Sequence, residues 1–131
     1  MEQIVKRTGQ PGLRFEGELL AESDGKWASG KEQNRWHNLR LFQTAEGKYL
    51  LAIEYKTIWE GELDNYWAGV ADNIEELKDQ LSYYEPTEHI MGFPPHPQYQ
   101  ERQANLINWI RRRFEMQISQ IFDEAGLTEQ I

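Results

Sequence analysis

From residue 48 to 56 the chain alternates with a period of two. Tyr49, Leu51, Ile53 and Tyr55 share one side, and Lys48, Leu50, Ala52, Glu54 and Lys56 the other. That period belongs to an extended strand, and aromatic and branched side chains suit its pleated surface. A lone strand has no stability in water, so the neighbouring sequence has to supply a sheet. Residues 36–44 read as the preceding strand, with Leu39 and Leu41 on one face and Phe42 on the other. Ala45-Glu46-Gly47-Lys48 is a hairpin connection in which Gly47 can take a positive φ. A further strand is expected over 13–22, with Phe15, Gly17, Leu19 and Ala21 on one face, and a short fourth over 66–71. Up to residue 71 the connections are too short for a helical crossover, so the pairing is expected to be antiparallel. The first dozen residues, with Gly9, Pro11 and Gly12, read as a lead-in, and 26–34 as a loop.

After residue 71 the spacing changes. Ile74, Leu77 and Leu81 make the stripe of an amphipathic helix. Asp72 or Asn73 can cap it, and Glu75 and Glu76 stand near the positive end of its dipole. Pro86, Gly92, Pro94, Pro95 and Pro97 rule out a regular helix over 85–97. A last helix is expected from Gln98, bearing Ile107, Ile110, Phe114, Ile118, Ile121 and Ala125 on one face and stopped by Gly126. It is long enough that a bend near 101–105 is one expectation. Trp109 and Met116 at its margin belong either to the core or to a homodimer contact. The expected fold is α+β: an antiparallel sheet of about four strands followed by two or three helices packed on one face. One compact domain would span 1–131, with the sheet at 13–71, an acidic helix at 72–84, a proline-rich loop at 85–97 and the C-terminal helix at 98–125.

The 131 residues include no cysteine, which removes disulfides, thiol catalysis and thiolate metal sites together. No run of about 20 apolar residues occurs and the N-terminus lacks an apolar signal core, so a cytoplasmic protein without a membrane partner is expected. The net charge of −8 disfavours nucleic acid, whose phosphates need clustered Lys and Arg.

That charge is unevenly distributed. Residues 60–96 hold nine acids against the single Lys78. Like charges three or four residues apart on a helix repel, and an ion would relieve them. Hard oxygen donors around a flexible glycine suit Ca²⁺, which takes 6–8 oxygens in relaxed geometry. The candidate ligands are Glu60, Glu62, Asp64, Asp72, Glu75, Glu76 and Asp79, with Asp24 or Glu22 as further donors. The spacing of an EF-hand loop is absent, so such a site would be assembled from separate pieces of chain. The resulting expectation is a non-enzymatic calcium buffer or sensor. Two other readings of the same acids stay open: a plain solvated face, or an interaction or regulatory domain docking on a basic partner. The latter would show an exposed aromatic patch near Trp59, Tyr66 and Trp67.

Other chemistry finds little support. His37, His89 and His96 have no metal-ligand spacing, no serine stands in a nucleophile motif, and the glycines form neither a dinucleotide fingerprint nor a phosphate loop. Arg111, Arg112 and Arg113 point in different directions on a helix and make no stripe.

The stretch RFEGELLAES, then LFQTAEGKYLLAIEY, a Trp-Glu-Gly turn and DNIEELKDQL resembles the EXLDI family of small uncharacterised bacterial proteins. Those pair an RF-G-LLA strand with a YRTAKGKY hairpin and close on a Leu-Asp-Ile tail. Here Phe42-Gln43 replaces Tyr-Arg and the chain closes on LTEQI. The resemblance spans roughly residues 14–81 and implies no known chemistry. In size, acidity and lack of cysteine the chain is also similar to the cyanobacterial calcium-binding proteins of heterocyst differentiation. That likeness implies an α/β fold without EF-hands and calcium held by surface acids. It carries over no individual ligand.

Overall fold

The structure is a computed structural model and describes residues 1–127. The strands run in the order β1 (Glu2–Arg7), β2 (Gln10–Asp24), β3 (Trp27–Ala28), β4 (Lys31–Glu32), β5 (Arg35–Thr44), β6 (Tyr49–Thr57) and β7 (Asn65–Ala71). Helix α1 (Ile74–Leu81) follows, then a single 3₁₀ turn (Pro97–Tyr99) and helix α2 (Gln100–Glu124). Five strands form one antiparallel sheet in the order β1-β2-β5-β6-β7, and β3-β4 is a separate two-stranded hairpin. The α+β class is as expected, with five strands in the main sheet and two helices. From Thr128 onward the LTEQI tail lies outside the described residues.

The β5–β6 hairpin sits at the centre. Leu41 pairs with Leu51 and Leu39 with Ile53, and Gly47 takes a φ of 88° in the turn. β7 adds along β6, setting Ile53 opposite Trp67 and Ala52 opposite Ala68. Three expectations for the strands are corrected. Residues 2–7 are a strand, with Val5 opposite Leu13, where a lead-in was expected. Ile4 and Val5 are the only aliphatic residues there, too few to display a period. Residues 26–34 contain the β3–β4 hairpin, turning through Ser29 and Gly30 at positive φ. Finally, the register of β2 on β5 slips between Leu19 and Ala21. This bulge sends Phe15 and Ala21 to opposite faces, because one extra residue inverts the alternation beyond it.

Both faces of β5 and β6 are covered. On one, Leu39, Leu41, Leu51 and Ile53 meet Leu77 of α1 and Phe114 and Ile121 of α2. On the other, Phe42, Leu50 and Ala52 pack with Val5, Phe15 and Ala68, because the sheet curls until β1 reaches β7. The Thr8 amide donates to the Tyr66 carbonyl at 2.8 Å, and the Tyr66 amide to the Thr8 hydroxyl at 2.8 Å. The ring of Phe15 meets that of Phe42 edge-on at 5.2 Å.

Both helices lie on the same face, α1 over β6 and β7 and α2 over β2 and β5. Asn73 caps α1, its side chain accepting from the Glu76 amide at 2.8 Å, while the Glu76 carboxylate accepts from the Asp72 amide at 3.2 Å. The first bond satisfies an amide that the helix start leaves open, and the second ties the residue before the cap to the first turn. α1 ends at Leu81, short of the expected residue 84, and the turn that follows carries Tyr84 into the core margin. α2 runs unbroken through 101–105 and stops at Gly126, whose φ is 73°. Among the described residues no helix is long and apolar enough to cross a membrane.

Candidate functional site

The first turn after β6 carries an acid inward. Glu62 follows Gly61, which takes a φ of 87° and has the Met91 thioether against it. The Glu62 side chain has no exposed surface. Arg35, at the start of β5, donates through Nε at 3.0 and 2.8 Å and again through Nη2. The Tyr55 hydroxyl donates at 2.5 Å, the Thr57 hydroxyl at 3.0 Å and the Met91 amide at 3.3 Å. Arg35 Nη2 also reaches the Met91 carbonyl at 2.9 Å. Burial pushes the Glu62 carboxyl up, but the donors from Arg35, Tyr55 and Thr57 outweigh it and hold it below the usual range. Burial, and then the Glu62 carboxylate, drives the Tyr55 hydroxyl well above the usual phenol range. With its oxygens engaged and no surface open, Glu62 works as a clamp joining the strand ends to residue 91.

The other acids of the 60–79 segment lie apart. Asp64 accepts from the Thr57 amide at 2.9 Å and pairs with Lys56 at 3.0 Å. Glu60 is exposed, Asp72 stands 3.9 Å from Lys48, Glu76 belongs to the α1 cap, and Glu75 and Asp79 face solvent on α1. Glu62 binds beside Tyr55, whereas Asp72 follows Ala71, which pairs with Tyr49. Six residues of strand separate these ends, about 20 Å at ~3.3 Å per residue. The seven acids are therefore not gathered in one place. Among the described residues no group of three or more His, Asp or Glu side chains could hold a metal ion. Glu22 and Asp24 lie on β2, the latter accepting from the Lys26 amide at 2.8 Å.

Outside the clamp stand large apolar side chains. Leu63 is 80% exposed, Ile58 67% and Trp59 50%; Met91, whose thioether lies against Gly61, and Phe93, two residues further on, are also exposed. The Trp59 ring covers the Arg35 guanidinium at 4.8 Å. Phe93 is held by stacking on Tyr99 at 5.7 Å and by its amide donating to Gln103 at 2.8 Å. Tyr66 and Trp67 do not join this patch. Trp67 packs on Tyr84 at 5.5 Å, and Tyr66 receives Lys6 and Lys56 over its ring. Nothing local in the sequence marks Arg35 or Met91, since their partner Glu62 lies 27 and 29 residues away.

The root of the proline-rich loop is seated by a histidine. His37 is 3% exposed, boxed by Phe114 at 5.0 Å, Tyr55 at 5.4 Å and Tyr84 at 6.3 Å. Burial lowers its pKa to about 4, partly opposed by the Pro86 carbonyl, and Nε2 has no hydrogen bond of good geometry among the described residues. Its own carbonyl accepts from the Gly25 amide at 3.0 Å and from buried Gln117 at 2.9 Å. His89 stands 3.9 Å from Glu88, and the His96 ring caps the Gln98 amide at 3.3 Å.

No family model, no curated protein and no solved structure matches the chain.

Proposed function

We propose that the protein is a docking module, binding a partner protein through the apolar end formed by residues 58–63 and 91–93. One observation carries the reading: large apolar side chains stand in solvent on loops that a buried ion pair holds in place. Exposed apolar side chains grouped on one part of a surface mark interaction sites. A buried ion pair adds little net stability over an apolar pair, so its retention favours a geometric role. Here it ties Gly61, Glu62 and Met91 to the strand ends, which lowers the entropy lost on binding. Glu60 and Glu88, exposed on the same loops, favour a partner that brings basic as well as apolar groups.

The test compares the wild type with Ile58→Ser/Leu63→Ser, both exposed positions whose change spares the core. Immobilised proteins are challenged with a lysate of the source cells, and captured proteins are quantified. A partner retained by the wild type and lost by the variant, at equal melting temperature, supports docking through this end. Identical capture refutes it. The calcium reading is separated in the same preparation. Docking predicts an unchanged melting temperature in millimolar calcium, whereas an ion bound to the folded chain raises it.

A further inference from the structure

Between the end of α1 and the 3₁₀ turn, residues 82–96 contain turns and bends but no strand or helix, and none of them is buried. Such a segment makes no ladder of hydrogen bonds and covers little apolar surface, so opening it costs less than opening the sheet. It is tied down at separate points. The Glu85 carboxylate accepts from Arg111 of α2 at 2.9 Å, the Met91 amide and carbonyl meet Glu62 and Arg35, and the Phe93 amide donates to Gln103. An open groove of about 470 Å³ borders Tyr84, Glu85 and Pro86, so solvent already stands against the root of this segment.

A further point of attachment is His37. It precedes Leu39 by two residues on β5, so its ring points to the helix-covered face. There Tyr55 of β6 and Phe114 of α2 enclose it from within, and Tyr84 and the Pro86 carbonyl close it from outside. The acids around this box are engaged elsewhere. Glu62, behind Tyr55, is held by Arg35, and Glu85, near Tyr84, by Arg111. Glu88 also acts on Tyr84 and stands 3.9 Å from His89. Arg35 and Arg113 line a slot that touches His37 and bring further positive charge to its neighbourhood. An imidazolium in this box would give up its water without gaining a carboxylate, so the neutral ring is the form that fits. Tyr55 and Phe114 belong to the folded body, and only the segment bearing Tyr84 and Pro86 can leave without unfolding it.

We infer that residues 82–96 form a strap seated on neutral His37, and that acid opens this strap as a unit while the sheet stays folded. With the strap closed, burial holds the His37 pKa at about 4, against 6.5 for a free imidazole. With it open, Tyr84 and Pro86 lift away and the hydrated ring protonates in its ordinary range. The closed value is the depressed one, so closure is fully favoured above pH 6.5 and progressively lost as pH falls from there toward 4. Between about pH 7.5 and 5.5 the open fraction rises about tenfold. Met91 and Phe93 ride on the strap, so its opening also dismantles the apolar end. That consequence rests on the docking reading, whereas the opening itself does not.

Hydrogen exchange of the full chain tests the inference without any partner, with rates corrected for the intrinsic pH dependence of amide exchange and measured where they follow the opening equilibrium. The amides of Tyr84, Met91 and Phe93, each hydrogen-bonded in the closed strap, are the reporters. They should open more readily than the amides of the β5–β6 hairpin, with opening constants about tenfold larger at about pH 5.5 than at 7.5. His37→Phe keeps a ring in the box and leaves His89 and His96 in place, and it should abolish this dependence. Should that variant not fold, the ring protons of His37 in the wild type decide, since their shifts should stay constant over the same range. The inference is overturned by strap amides whose opening ignores pH, by a tenfold rise that survives in His37→Phe, by strap and hairpin amides that open together, or by a His37 ring that titrates within this range. Failure to capture a docking partner touches none of these outcomes.

Discussion

Lowering the pH should destabilise this protein through His37 before the carboxylates begin to titrate. The folded ring has a pKa of about 4 because Phe114, Tyr55 and Tyr84 exclude water from it, against 6.5 for a free imidazole. The depressed value means that the fold prefers the neutral ring. The stabilisation is fully present above pH 6.5, is lost as pH falls from there toward 4, and then levels off. Each pH unit within the window costs about 1.4 kcal/mol, so the whole loss is about 3 kcal/mol. Between about pH 7.5 and 5.5 the unfolded chain takes up most of one proton and the folded ring almost none, a loss of about 1.3 kcal/mol. Urea denaturation followed by tryptophan fluorescence measures it, and that lower limit keeps the protein above its isoelectric point of about 4.9. His37→Phe keeps a ring among Tyr55, Tyr84 and Phe114 and removes the titration, and subtracting its profile cancels every other group. The reasoning fails if wild-type stability is flat over this range, or if His37→Phe retains the same slope.

Glu62→Gln should cost about 3–5 kcal/mol in urea denaturation, because it leaves the Arg35 guanidinium buried beside a neutral group. Replacing both partners by apolar residues should recover most of that loss. Leu77→Ala, at a fully buried position joining α1 to the sheet, should cost about 2–5 kcal/mol by calorimetry, with its size set by how far the helix settles. Asn73→Ala removes the side-chain cap on the Glu76 amide and should cost about 1 kcal/mol, read as a modest fall in melting temperature.

The parts of the fold legible beforehand are those where one local period decides the outcome. The alternation over 48–56 announces β6 and assigns its two faces, and Leu39, Leu41 and Phe42 distribute as their spacing implies. Ile74, Leu77 and Leu81 place α1, and Gly126 stops α2. β1 escaped because two aliphatic residues display no period, and its burial depends on the curl of a sheet formed elsewhere. The bulge at Leu20 escaped because a register slip is a property of the pair β2–β5, and β2 alone still reads as regular. The candidate site was harder for the same reason. The cluster of acids was visible as charge, yet Glu62 is turned inward by Arg35 and Tyr55, partners fixed only by tertiary contact. Exposure of Leu63 and Met91 is likewise a statement about what fails to cover them, and composition does not contain it.

The double covering of β5 and β6 has a consequence for the order in which the protein opens. Helices lie on one side of this hairpin and the curled β1–β2 ribbon on the other, and the two apolar layers meet only through the strands between them. Loss of either layer alone leaves the hairpin half-wrapped and its ladder intact. Amide protons of α1, with few buried contacts, and of β1, at the rim of the curl, therefore belong to separate opening units. Those within 39–42 and 50–53 that bond β5 to β6 stay shielded until both layers are gone, whereas the β5 amides that bond β2 open with the ribbon. The slowest hydrogen exchange in the chain should trace this one hairpin, and its rate should report the global unfolding equilibrium.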